Sequence, residues 1–422
     1  MKTVVLGAGV VGVTTAYYLA RDGHEVTVVD QLSEVGQDAT GGNAGLIAPG
    51  HSFAWASPAA PRMLLKSLRG EATAIRVKPR LDPRFLWWGA QFLRECTATR
   101  AGENTLVKLR LGQYSQGELD HLAGAESIDY QQVSRGACYL YRDPGEFELG
   151  WAKMDLLRRH GMKMDVVTGP ELATLDPALR PAQHAVARAI HVVSDASGNS
   201  ELFTKTLADR CRAIGVKFQL GTTARRFVAE SGRISAVETN QGALTADTFV
   251  LALGVRSPFL SRTAGQSLPI YPAKGYSLTV PVVDAEKAPT VPGVDEKTLV
   301  AWSRMGEQLR MSSTAEFAGY GRDWQPADFA NILATGRELF PDAADWDKSR
   351  MRACLRPMTP DGPPILGRGK HDNLYYNTGH GHMGWTMACG SSRIVADLIC
   401  GRRPALPLTG MRVRAFRTGR AA

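Results

Sequence analysis

The stretch Val4-Val5-Leu6-Gly7-Ala8-Gly9-Val10-Val11-Gly12, completed downstream by Glu25-Val26-Thr27-Val28-Val29-Asp30, constrains the chain more than any other. Val4 to Leu6 are short, apolar and β-branched, which suits a buried parallel strand, and a GxGxxG pattern follows at once. Gly7 permits the tight turn, Gly9 allows the backbone to approach a pyrophosphate, and Gly12 lets the next helix pack closely on the strand. That helix, predicted over Val13 to Asp22, aims its N-terminal amides at the phosphates, where aligned peptide dipoles favour negative charge. A second strand over Glu25 to Val29 delivers Asp30, whose carboxylate accepts from both ribose hydroxyls and would repel a 2′-phosphate. FAD or NAD is therefore expected, with Val10, Val11 and Gln31 completing this half of the site.

A chain of 422 residues exceeds the roughly 250 to 300 at which single cores stop growing, so two domains are expected. Net charge is +9, but the basic residues are scattered and no nucleic-acid motif is visible, which points to small anionic ligands rather than nucleic acid. The six cysteines show neither metal-ligand nor redox-pair spacing, so reduced thiols and no metal are expected. The N-terminal residues already form the nucleotide-binding strand, which argues against a secretory signal, and no apolar run approaches the roughly 18 residues of a membrane span. The expected location is the cytoplasm.

Two further glycine-dense segments stand out. Gln37 to Leu46, containing Gly42-Asn43-Ala44-Gly45-Leu46, must run close to something flat or bulky, because apolar Ile47 and Ala48 follow directly. Near the C-terminus, Gly379-His380-Gly381-His382-Met383-Gly384-Trp385 leads into a helix predicted from Thr386 to about Cys400. A glycine-rich turn at a helix N-terminus is again an anion site, suited to the charge that develops at N1 and the C2 carbonyl of a reduced flavin. Between them, Leu355-Arg356-Pro357-Met358-Thr359-Pro360-Asp361-Gly362 is too proline-rich to predict a regular element before Ile365.

With these motifs the chain resembles, over essentially its whole length, the FAD-dependent oxidoreductases of the D-amino-acid oxidase type, which include glycine and sarcosine oxidases. The likeness is strongest to the bacterial D-amino-acid dehydrogenase small-subunit family. The resemblance implies that Gly42 to Leu46 pass along the isoalloxazine ring, that the backbone of Ala224 meets the adenine, and that Gly254 lies near the dinucleotide. It also implies that Arg356 binds the substrate carboxylate, with Arg304 matching a second such arginine less closely. At Cys354, where the dehydrogenase family commonly has glycine, sarcosine-oxidase-like relatives carry a cysteine joined covalently to the flavin. A buried small thiol is the other reading.

Elsewhere, helices are predicted over residues 83 to 96, Asn104 to Leu122, Glu201 to Ile214 and Phe329 to Leu339. Phe85, Trp88, Phe92 and Cys96 share one face of the first, which fits core packing or docking to a membrane or partner. Strands are predicted over Ala137 to Tyr141, Val216 to Leu220, Thr248 to Leu253, Thr298 to Trp302 and Gln308 to Ser313. Arg304 would lie in the link between the last two. The segment Tyr271 to Val280 alternates, with Lys274, Tyr276 and Leu278 on one face. The expected class is α/β: a Rossmann-type FAD-binding domain, discontinuous over 1–80, 190–262 and 355–422, and an α+β substrate domain on an antiparallel sheet, over 81–189 and 263–354. Arg412, Arg414, Arg417 and Arg420 suggest a disordered basic tail.

Amino-acid oxidation needs a hydride acceptor above Cα, a cation for the carboxylate and a neutral amine. FAD supplies the acceptor, and a guanidinium offers the bidentate fork that lysine lacks. Tyr276 and Tyr271 are candidate carboxylate donors or pocket walls, Lys274 is a candidate flavin neighbour, and His380 and His51 are candidate pocket residues. The expectation is oxidation of small or apolar D-amino acids, with electrons passed to a quinone or other carrier, or to O2 in an oxidase. Glycine, sarcosine, hydroxyproline and β-amino acids are alternative substrates. An NAD-dependent dehydrogenase leaves the GHGHMGWT segment unexplained, and a non-catalytic flavoprotein is a further alternative. Membrane association at the inner face and oligomeric state stay open.

Overall fold

The computed structural model describes residues 1–69, 75–78 and 80–413. Arg414, Arg417 and Arg420 lie outside the described residues. Lys2–Leu6 is a central strand, parallel to Glu25–Val29 on one side and Thr248–Leu251 on the other. Lys217–Gln219 and the pair Leu374–Thr378 and Ile365–Arg368 complete a six-stranded sheet. Covered on both faces, these strands are short apolar runs. Helices Val10–Arg21, Ser200–Ala213 and Gly384–Ile399 pack on one face through Val13, Ala16, Phe203, Leu207, Val395 and Ile394. The first helix begins three residues earlier than predicted because Gly9, extended, already serves as its N-cap.

A second, nine-stranded sheet is largely antiparallel and is built around Tyr271–Pro281, which pairs with Gln308–Phe317 on one side and Arg350–Met358 on the other. Three expectations change here. Arg350–Met358 is a regular strand despite Pro357, because it is the edge of the sheet, where a missing N–H costs no ladder bond. Val300–Met305 reaches further than predicted and is joined to Gln308–Phe317 by Gly306-Glu307, so Arg304 stands inside a strand rather than in a link. The segment boundaries expected at 190 and 355 fall inside strands Arg188–Val192 and Arg350–Met358.

Cross-strand neighbours share a face. One face of the second sheet carries Tyr276, Leu278, Leu309 and Met311, and buries them against Phe329, Ile332 and Leu339. The other carries Ala273, Gly275, Ser277, Thr279, Arg310, Ser312, Arg352, Cys354 and Arg356, and turns towards the Gly41 to Gly45 segment. Among the described residues, no helix is long and apolar enough to cross a membrane, and no cluster of side chains could hold a metal ion.

Candidate active site

The nucleotide half is built from close approaches. A Cβ at Gly12 would lie 1.8 Å from the Gly7 carbonyl oxygen, so any other residue would push the helix off the strand. Asp30 Oδ2 accepts from the Ala8 amide at 2.7 Å and Oδ1 from Leu32 at 2.9 Å, which fixes the carboxylate at the tip of its strand beside half-buried Gln31. The Val10 amide donates to Thr40 Oγ1 at 3.1 Å, and the Val11 carbonyl accepts from Ser392. Ala224 opens the strand Ala224–Glu230, and Gly254 starts a short 3-10 turn with its carbonyl bonded to Thr378.

The Gly42 to Leu46 segment is held on three sides. Asn43 binds the Thr40 carbonyl and Ser200, and its Oδ1 caps the Gly45 amide. Ser303 Oγ donates to the Ala44 carbonyl at 2.6 Å, Thr386 Oγ1 accepts from Ala48 at 3.1 Å, and Leu46 pairs with Ser197. Arg310, which the sequence reading passed over, donates from Nη1 to the carbonyls of Gly41 at 2.8 Å and Asn43 at 3.0 Å. Burial pulls its pKa down to about 10, helped by the neighbouring Arg352 charge. A charged residue between the apolar Leu309 and Met311 is the signal that could have found it.

Arg356 extends over Gly275 of the next strand. Its Nη1 donates to the Thr314 carbonyl at 3.0 Å and Nη2 to Ser312 Oγ at 3.4 Å. Thr314 sits at φ 59° beside a register shift, which turns its carbonyl towards the guanidinium. No carboxylate forms an ion pair with Arg356 among the described residues, and protein encloses the group while leaving part of its surface open. Burial lowers its pKa. The buried Cys354 thiol lies 3.7 Å from the Gly42 carbonyl, with its pKa raised by burial.

Opposite the sheet, His382 stacks on Trp55 at 5.0 Å and meets the edge of His51 at 5.8 Å, while His51 stacks on Tyr139. Burial holds His51 and His380 neutral, each pushed down to about 3, and it also holds His382 well below its ordinary value. The His382 Nε2 and Trp385 Nε1 are buried without partners among the described residues. Gly381 and Met383 belong to the turn ahead of the helix that starts at Gly384, two residues before Thr386. Asp195, unassigned from sequence, accepts from Tyr139 Oη at 2.7 Å and the Gly50 amide at 2.9 Å.

Lys274, Tyr276, Arg304 and His380 are not brought to this face. Lys274 and Tyr276 point to the opposite side of the sheet, where Lys274 pairs with buried Glu316 at 3.2 Å and donates to the Asp323 carbonyl, and Tyr276 also bonds Glu316. Arg304 alternates away from Ser303 and Met305, which face Gly45, and donates to the carbonyls of Gly306 and Ala285. His380 commits Nε2 to Ser391 at 3.0 Å. Tyr271, whose hydroxyl bonds Asp82 at 2.8 Å, lies in the aromatic cluster with Trp88 and Phe317 that Trp55 joins.

A parallel sheet with a glycine-rich turn at its central strand, joined to an antiparallel sheet whose one face meets the Gly41 to Gly45 segment, is the architecture of a dinucleotide-dependent oxidoreductase. The chain belongs to the FAD-dependent oxidoreductase family, whose model matches residues 2–398. It is 42% identical over 412 residues to D-amino acid dehydrogenase 2 of Mesorhizobium japonicum, covering 97% of this chain and 99% of that one. It is 42% identical over 417 residues to a D-amino acid dehydrogenase of Paramagnetospirillum magneticum, covering 99% of each. The same fold occurs in glycine oxidase from Geobacillus kaustophilus, at TM-score 0.77, 19% identity and 98% coverage of both chains. It recurs in L-proline dehydrogenase from P. horikoshii, at TM-score 0.73, 18% identity and coverage of 98% and 96%. The Asp30 carboxylate, the space-limited glycine turn and the unpartnered His382 and Trp385 nitrogens fit FAD as the cofactor.

Proposed function

We propose that this protein oxidises D-amino acids to imino acids, which water converts to 2-oxo acids and ammonia. The observation that carries the reading is Arg356: an enclosed guanidinium without a carboxylate partner among the described residues, facing the Gly42 to Leu46 segment. When bound, FAD supplies the hydride acceptor. Asp30 and the Gly7 to Gly12 turn hold its ADP half, and Gly42 to Leu46 with Gly381 to Thr386 hold the ring. Arg356 fixes the substrate carboxylate through its two-pronged fork, which orients Cα. His51 and His382 stay neutral, so neither places a competing positive charge beside the amine, which must shed its proton before Cα–H can leave as hydride.

The two sheets form the two domains, with the substrate domain extending through Met358. The acceptor is a quinone or similar carrier, reached at the cytoplasmic face of a membrane. Exposed Leu81, Leu86, Trp87 and Leu93 lie among Arg80, Arg84 and Arg94, a combination that suits an anionic lipid surface. Anaerobic mixing with D- and L-amino acids tests the activity: the flavin bleaches with D-amino acids, and R356M raises KM by about a hundredfold. Flavin that no D-amino acid bleaches would sink the proposal. Co-sedimentation with anionic vesicles tests the surface, and no pelleting above that seen with neutral vesicles would discard it.

A further inference from the structure

We infer that Lys108 is a second substrate anchor, its ammonium taking an oxygen acceptor (carboxylate, amide carbonyl or hydroxyl) on the side chain of the amino acid whose α-carboxylate Arg356 holds. The inference rests on the D-amino-acid reading above and narrows its substrate class.

Lys108 stands on the helix Ala98–Ala125 and is 1% exposed. Its Nζ donates to the Phe53 carbonyl at 2.9 Å, which uses one of three N–H donors. It forms no ion pair among the described residues. An ammonium withdrawn from water without a carboxylate is unfavourable, so one kept at such a place calls for a ligand that accepts from it. Burial first, and then the charge of Lys153, pull its pKa down to about 7, and an acceptor at the free donors would restore the charged form. Lys153, whose ammonium lies over the Phe53 ring at 4.1 Å, is a second donor and cannot supply that partner.

The surroundings of Lys108 join it to the Arg356 pocket. Two residues after Phe53 stands Trp55, whose ring stacks on His382 and packs into the cluster of Tyr271, Ala273 and Met358. Ala273 is the cross-strand neighbour of Arg356. Burial first, and then the charges of Lys108, His51 and Arg356, hold the His382 pKa down, so both cations act on the one imidazole, whose Nε2 has no partner among the described residues. Gly362, in the turn that follows the Arg356 strand, leaves room for the lysine stem: a Cβ there would stand 3.3 Å from Lys108 Cδ. An acid bearing a second oxygen group thus meets one cation at each end, whereas an apolar side chain would leave the Lys108 donors unsatisfied, as would an empty pocket.

The test uses the FAD-loaded protein and non-reactive acids, followed by the shift of the visible flavin spectrum. Succinate should bind about tenfold more tightly than butyrate, and K108M should abolish that ratio while leaving butyrate within about twofold. In turnover, D-glutamate and D-glutamine should exceed D-norleucine in kcat/KM, again only with Lys108 present. Equal binding of the two acids by the unaltered protein overturns the inference without need of the variant. A K108M protein that weakens both acids alike overturns it too, because Lys108 would then only secure the Phe53 loop. The D-amino-acid reading fails separately, on a flavin no D-amino acid bleaches, while the acid-binding ratio is read on the oxidised protein.

Discussion

The guanidinium of Arg356 lies across Gly275 on the neighbouring strand, so closely that a Cβ at 275 would meet Nη2 at 2.5 Å and Cζ at 2.6 Å. The absence of a side chain at 275 thus gives the arginine its position. The obstruction in G275A is the end of a flexible side chain, so Arg356 would swing away rather than unfold the sheet. KM for a D-amino acid should rise at least about tenfold, with stability changed by no more than about 1 kcal/mol. An unchanged KM with a displaced arginine would show that the carboxylate is held elsewhere.

Arg310 should matter to cofactor retention more than to substrate binding. Its Nη1 bonds both the Gly41 and the Asn43 carbonyl, and R310M leaves these two enclosed acceptors unmatched at about 1 to 3 kcal/mol each. Purified R310M should carry well under half the flavin per chain of the unaltered protein and show a lower Tm, with R310K in between because an ammonium can serve the two carbonyls but has no second nitrogen for Thr279 Oγ1, which Arg310 Nε holds at 2.6 Å. Full flavin content in R310M would remove the clamp from the account.

Local periodicity made most elements legible, and tertiary pairing decided what it could not. Alternation in Tyr271–Pro281 places Lys274 with Tyr276 on one face, but a period of two defines two faces without saying which meets the cofactor. Gly275 marks that face because Arg356 occupies the space its missing side chain leaves. Pro357 argues against a strand only if the strand is interior, and sheet order is not written in local sequence. The glycine fingerprint and Asp30 were readable because their spacing is local, whereas Lys108, Asp195 and Arg310 act through partners distant in sequence.

Cys354 lies against the Gly42 main chain, in the segment expected to run along the flavin ring, but burial raises its pKa and keeps the thiol protonated. The nucleophile is the thiolate. Acid precipitation should therefore release yellow colour into the supernatant, and C354S should bind as much flavin as the unaltered protein. Colour that stays with the precipitate and disappears in C354S would reverse this.

Asp195 gives the fold a defined pH signature. Burial raises its pKa from 3.8 to about 7, against the opposing donation from the Gly50 amide and the Tyr139 hydroxyl. Between these values the folded chain holds a proton that the unfolded chain has lost. Stability attributable to this group therefore falls as pH rises through that window, by about 1.4 kcal/mol per unit, and is level outside it. In D195N the amide does not titrate, yet its oxygen can still accept from Gly50 and its nitrogen can donate to the Tyr139 oxygen, so the fold should persist. Urea unfolding of both proteins from pH 4 to pH 8 gives the difference. The unaltered protein should lose stability relative to D195N as pH rises to about 7 and run parallel to it above. Parallel curves throughout would mean that Asp195 is already ionised at pH 4, with Gly50 and Tyr139 outweighing its burial.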